Sequence, residues 1–202
     1  MKYFFILICL ISAGTISAQE NYQSEIIQWQ NELDASFENP ETSPLEGKEL
    51  KKFRGLDYYP INENFKVVAR LERLANEQPF TMPTSSNKKK IFLRYAIAHF
   101  SIEDKEYHFP LYQSLQVQQM DDYSDYLFAP FTDLTSGFES YGGGRYLDLK
   151  IPAGDTIILD FNKAYNPSCA YSPNYNCPIP PRENDLDLEV KAGVKAWKND
   201  KH

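Results

Sequence analysis

After Tyr59 the spacing of apolar residues along this chain changes from helical to alternating, and that change constrains the fold class. Before it, Tyr22, Ile26, Trp29, Leu33 and Phe37 recur at helical spacing, which predicts one amphipathic helix over Glu20 to Phe37. Asn39-Pro40 stops it, because a residue before proline is pushed out of the helical region. Beyond Tyr59, Phe65, Val67, Ala69 and Leu71 alternate on one strand, and the runs Pro79 to Met82 and Ile91 to Ile102 follow between turn residues. Aromatic residues make up 14% of the chain, chiefly Tyr and Phe, and these favour strands. The expected fold is mainly β: an antiparallel sandwich or partly open barrel with an N-terminal amphipathic helix.

The first eighteen residues read as a secretory signal. Lys2 is a minimal positive region, Tyr3 to Ile11 is unbroken apolar chain, and Ser17-Ala18 puts small residues before Gln19. The apolar run is about half of the roughly 20 residues that a bilayer crossing needs. The expected organisation is a signal peptide over 1–18, a helix over 19–38, one β-rich domain over 39–193 and a C-terminal tail over 194–202. A secreted or periplasmic protein follows, with no integral membrane segment after signal removal. A formal net charge of −7 argues against a nucleic-acid surface. The only basic run, Lys88-Lys89-Lys90, reads as a solvated hairpin tip.

Strand register is predicted in two places. The link Glu103 to Glu106 pairs Phe100 with Phe109 and Ala98 with Leu111, and sets Ser101 across from His108 with His99 on the diagonal. A second hairpin joins Arg145–Ile151 to Asp155–Phe161 through Pro152-Ala153-Gly154. A left-handed Gly154 in that loop makes Leu149 meet Ile157, Leu147 meet Leu159 and Arg145 meet Phe161. Asp121 to Asp125 reads as a surface crossover between two halves of the sheet.

The residues able to do chemistry gather in two runs, Phe128 to Arg145 and Asp160 to Asn184. Gly142-Gly143-Gly144 permits close approach of a ligand and offers backbone N–H groups to an anion. Arg145, on the core-facing row, needs a carboxylate partner from the protein or from a ligand. Asp133, Glu139, Asp148 and Asp160 fit either an acid/base pair or salt bridges and solvated faces. Cys169 and Cys177, the thiols left after signal removal, fit a disulfide stabilising by about 2.5 kcal/mol, a metal site lacking further ligands, or a reactive thiol at Cys169. His99 and His108 fit metal ligation, a general base, or plain half-exposed histidines. No nucleotide fingerprint and no Gly-x-Ser-x-Gly or His-Glu-x-x-His pattern occurs, so neither cofactor nor metal is expected.

The runs FAPFTDLTSGFESYGGGRYLDL and LDFNKAYNPSCAYSPNYNCPIPPREN, with Ser43-Pro44-Leu45 and Phe53 to Pro60 upstream, resemble the bacterial and archaeal family known as domain of unknown function 1684. The resemblance runs from Trp29 to Gly193. It implies no activity, only a set of matched polar positions: Asp133, Ser136, Glu139, Tyr141, Arg145, Asp148, Asp160, Asn162, Asn166, Cys169, Cys177 and Asn184. Relatives often continue with Ala-Gly-Glu where this chain has Ala192-Gly193-Val194, so no role for an acid transfers there.

Three classes of function fit. One is a secreted binding module that holds a small polar or anionic ligand between the Gly-rich turn and the Pro-rich loop. Its contacts would be Ser136, Tyr141, Gly143, Gly144, Arg145, Asn162, Asn166 and Asn184. The second is a hydrolase-like enzyme using Asp133 or Glu139 with Asp160 and Cys169. The third is a structural or interaction domain whose motifs brace loops.

Overall fold

The computed structural model describes residues 9–86 and 88–197, with side chains from residue 19 onward. Of the leader expected over 1–18, residues 1–8 lie outside the described residues and residues 9–18 are helical. Helix α1 (Cys9–Glu38) contains the predicted amphipathic segment and buries Tyr22, Ile26 and Phe37. A short helix α2 (Gly47–Lys52) follows. Among the described residues no helix is long and apolar enough to cross a membrane.

The rest is mainly β, in one curled antiparallel sheet. Its strands are β1 (Lys66–Arg73), β2 (Phe80–Met82), β3 (Lys90–Ile102), β4 (Lys105–Ser114), β5 (Tyr126–Asp133), β6 (Arg145–Lys150), β7 (Thr156–Asp160) and β8 (Asp185–Leu186). The order is β6-β5-β4-β3-β1-β7, with β2 on β3 and a parallel β8 on β5. The edge strands β6 and β7 are consecutive in sequence, so the sheet must curl to bring them together. Tyr165, just beyond β7, completes the approach by exchanging backbone hydrogen bonds of 2.9 and 3.1 Å with Tyr146 of β6. The result is a half-barrel.

Both predicted registers need correction. The β3–β4 turn uses only Glu103 and Asp104, at φ of 51° and 61°, so Phe100 faces Tyr107, Ala98 faces Phe109 and His99 stands directly across from His108. Two left-handed residues form the tight turn whose twist suits a hairpin. The shift is by two residues, and the same side chains stay on the core face. The β6–β7 hairpin is absent: β6 pairs with β5, setting Leu147 on Ala129 and Arg145 on Phe131, while β7 pairs with β1 and sets Leu159 on Val67. Gly154 does not take the left-handed conformation. The Asp121 to Asp125 stretch joins β4 to β5, which are neighbours, so it crosses nothing.

One face of the sheet carries the main core, with Ala98, Phe100, Phe109, Leu111, Leu127, Phe131, Leu147 and Leu159 contributed by successive strands. The segment over residues 186–194 closes it with Leu186, Val190 and Ala192. The tail expected from residue 194 starts later, because Val194 is buried and the Trp197 ring packs on Phe53 and Tyr171. The opposite face has a smaller cluster of Met82, Phe92, Tyr112, Phe128 and Tyr146. It owes Phe92 to a bulge. The register of β3 on β4 slips between Arg94 and Ala96, so Phe92 pairs with Ser114 while Ala96 pairs with Leu111, and even-numbered residues change faces across Tyr95.

Candidate functional site

Six of the expected polar residues, Asp133, Arg145, Asp160, Asn162, Asn166 and Asn184, are buried and bond within the chain. Arg145 is fully buried at the start of β6. Its guanidinium donates to the Asp133 carboxylate at 3.1 Å and to the backbone oxygens of Val190 at 2.8 Å, Val194 at 3.5 Å and Ala192. Asp133 in turn accepts from the Val190 N–H at 2.8 Å and the Thr135 hydroxyl at 2.7 Å. Burial lowers the Arg145 pKa and the facing Asp133 carboxylate opposes that. The pair pins the 190–194 segment over the core. A ligand anion expected at Arg145 finds its place taken by Asp133, and Ser136 completes the enclosure by donating to the same carboxylate at 3.3 Å.

The other expected site residues are placed in the same manner. Asp160 accepts from the Tyr22 hydroxyl of α1 at 2.9 Å. Asn162 donates to the Asn62 oxygen and the Tyr22 oxygen, both at 2.9 Å, and accepts from the Asn62 N–H at 2.9 Å. These bonds dock the N-terminal helix onto the end of β7. Asn166 donates to the Lys195 oxygen at 2.8 Å and holds the C-terminal segment. Asn184 donates to the carbonyls of Pro110 on β4 and Pro130 on β5 at 3.0 and 2.8 Å. Tyr141 packs against the cluster of Phe37, Phe53 and Tyr171. Glu139 is exposed and 3.4 Å from Lys191. The catalytic reading thus loses its parts: Asp133 and Asp160 each serve a different brace, and Cys169 is joined to Cys177 in a disulfide, which leaves it no thiolate.

The Gly-rich turn is shaped by packing. Gly143 is exposed, whereas Gly144 is buried at φ +84°, and a Cβ there would lie 2.6 Å from the Phe131 oxygen and 2.7 Å from Pro180 Cγ. Gly144→Ala is expected to lower stability by about 2–4 kcal/mol, from left-handed strain plus overpacking. Gly154→Ala, whose Cβ meets nothing within 4 Å, is the control and should unfold in urea like the wild type or slightly later.

What the two motifs do jointly is wall a cavity on the opposite face. Tyr146 of β6 reaches the Pro178 carbonyl with its hydroxyl, and its backbone pairs with Tyr165, so the Pro-rich loop lies over the sheet. The hairpin between β2 and β3 closes in from another side. The Ser85 N–H donates to the Cys177 oxygen at 2.9 Å and the Ile179 N–H to the Pro83 oxygen at 2.8 Å, in a loop cross-linked by the disulfide. Between these elements lies a space of about 260 Å³ lined by Phe92, Phe128, Tyr126, Tyr146, Tyr165 and Pro178, with Lys90, Ser114, Gln116 and Val117 at its β3–β4 end. That is slightly below the size range typical of pockets for drug-sized ligands, about 300–1,000 Å³.

The rings run in contact along the wall: Phe92 to Phe128 at 5.5 Å, Phe128 to Tyr146 at 4.7 Å, and Tyr146 to Tyr165 at 5.9 Å. Beside them Asp148 accepts from the Tyr126 hydroxyl at 2.6 Å and the Tyr165 hydroxyl at 2.8 Å. Asp148 keeps exposed surface, yet crowding raises its pKa against the pull of the two tyrosine donors. Burial, with the Asp148 charge next, holds both tyrosines well above the ordinary phenol range.

Of the residues expected to bind a ligand, none lines this cavity, and the residues that do line it were passed over by sequence reasoning. One signal pointed to them. Tyr126 to Phe131 is apolar at nearly every position, which marks a strand covered on both faces. The solvated tip expected over Lys88 to Lys90 is shorter: only Lys88 and Lys89 are exposed, and Lys90 pairs with Met82 at the start of β3. His99 and His108 sit on the sheet surface with rings 5.9 Å apart, His99 bonding to Glu72 at 2.9 Å. Among the described residues no cluster of His, Cys, Asp or Glu has the arrangement of a metal site.

Fold and site together define a half-barrel β domain with an aromatic cavity flanked by a disulfide-bonded, Pro-rich loop. The chain belongs to the family described as Protein of unknown function (DUF1684), whose model matches residues 51–195. It is similar to an uncharacterised protein from gene locus rrnAC0354 of Haloarcula marismortui, solved by solution NMR, at 31% identity and a TM-score of 0.69, covering 92% of this chain and 99% of that one. No curated protein matches the chain.

Proposed function

We propose that this protein is an exported binding module that holds a small molecule in the aromatic cavity between the sheet and the Pro-rich loop. The observation that carries the reading is the cavity itself: aromatic rings forming a wall, with a few polar groups converging at one end. That combination is how small-molecule sites are built. The role of the buried polar residues of the two motifs is then to brace the scaffold behind the cavity: the 190–194 segment, the N-terminal helix and the β4–β5 seam. Export rests on the apolar run Tyr3 to Ile11 and the Ser17-Ala18 boundary, and is supported by a disulfide placed where it steadies the roof.

Calorimetric titration with phenol and indole tests the site. Wild type is expected to give saturable isotherms. Ser114→Leu, which pushes an isobutyl group into the space, should weaken both by at least about tenfold while leaving the urea midpoint within a small margin. Equal affinity for wild type and Ser114→Leu would contradict the proposal.

A further inference from the structure

The cavity has a polarity along its length. At the β3–β4 end stand a cation and hydrogen-bond donors. Lys90 opens β3, and the ladder continues past the last paired residues with Leu115 N–H on the Ile91 oxygen at 3.1 Å, which brings Gln116 beside Lys90 and Ser114 one step along. The Ser114 oxygen accepts from the Val117 N–H at 3.4 Å, so its own hydrogen remains available. At the tyrosine end the donors are already committed: Tyr126 and Tyr165 donate to Asp148, and Tyr146 donates to the Pro178 oxygen. Only oxygen lone pairs face a ligand there.

Lys90 is the one cation in this lining, and the lining holds no carboxylate. Among the described residues its ammonium makes no ion pair, hydrogen bond or cation–π contact, whereas Arg94 on the same strand pairs with Glu183 at 2.7 Å. A half-buried ammonium against aromatic walls costs free energy unless an anion completes it. Burial accordingly lowers the Lys90 pKa.

We propose that the ligand is a small aromatic carboxylate whose acid group binds Lys90, Ser114 and Gln116 and whose ring lies along Phe128, Tyr126 and Tyr146. The inference rests on the cavity being the binding site. A carboxylate matches the donors at one end, and a planar ring matches the wall of ring faces and edges. Asp148, on the far side of Tyr126 and Tyr165, disfavours an acid in the reverse orientation.

Matched acids and amides test it: benzoate, phenylacetate and 3-phenylpropionate against benzamide, phenylacetamide and 3-phenylpropionamide, titrated calorimetrically at neutral pH alongside phenol and indole. At least one acid is expected to bind about tenfold or more tighter than its amide, the worth of a charge-assisted hydrogen bond. Lys90→Met should abolish that preference by weakening the acid alone, and Lys90→Arg should keep it. Amides binding as tightly as acids, acids failing where phenol and indole bind, or a preference that survives in Lys90→Met would overturn the inference and leave the cavity reading standing. Failure of every probe would remove both.

Discussion

Replacing Arg145 by methionine is expected to lower the unfolding free energy by about 3–5 kcal/mol, because it removes one partner of a buried ion pair and leaves the other. Asp133 would keep the Val190 N–H and the Thr135 hydroxyl but lose its counter-charge, with the side chains of both pair members wholly shielded from solvent in the native fold. The carbonyls of Val190, Ala192 and Val194 would lose their donor at the same time. Arg145→Lys should also be costly, since a single ammonium cannot reach Asp133 and three backbone oxygens in the plane that the guanidinium spans. The double variant Arg145→Met with Asp133→Leu should recover only part of the loss, because the Val190 N–H then has no acceptor. Urea unfolding measures all three. If Arg145→Lys instead unfolded like the wild type yet lost binding of phenol and indole, Arg145 would belong to the ligand site and not to the scaffold.

A loss of about 2–5 kcal/mol is expected for Asn184→Ala, from two buried carbonyls left without a donor. The reason lies in the seam between β4 and β5. Only Tyr112 and Phe128 pair across it, and Pro110 and Pro130 bring no N–H to the strands they occupy. The Asn184 side chain spans the gap, donating to both proline carbonyls, and its oxygen accepts from the Tyr112 hydroxyl at 3.0 Å. Asn184→Asp should be at least as damaging as Asn184→Ala, because a carboxylate would face two carbonyl oxygens. Thermal unfolding of the two variants reads the difference. A melting temperature for Asn184→Asp above that of Asn184→Ala would mean that the amide donors do not hold the seam.

The fold class was legible because α1 and the first strands have clean periods: Tyr22 to Phe37 for the helix, Phe65 to Leu71 for β1. Register was less so. The β3–β4 turn places Glu103 and Asp104 in left-handed conformations without the Asn-Gly signature that announces such a turn. The β6–β7 pairing failed for a different reason: consecutive strands usually neighbour one another, but here β6 pairs with β5 and β7 with β1, which puts these two on opposite edges of the strand order. Within the site, the sequence shows that Arg145 on the core-facing row needs a carboxylate from the protein or from a ligand, and the fold supplies Asp133. The cavity was hidden by the bulge at Tyr95, which reverses the phase of β3 and turns Phe92 away from the core that Ala96 faces. A period read along the strand averages over such a slip. Lys90 was hidden by its neighbours, since two exposed lysines before it made the run look like a solvated tip.

The central claim is that the family's buried polar residues brace the scaffold while ligands enter the aromatic cavity behind them. Chemical-shift mapping of the backbone amides during titration with indole tests it most directly. The account predicts saturable shifts at Phe92, Ser114, Gln116, Phe128, Tyr146 and Tyr165, with the amides of Asp133, Ser136, Asn162 and Ala192 unmoved. Shifts centred on Asp133 to Gly144, or no saturable shift at the cavity residues, would contradict it.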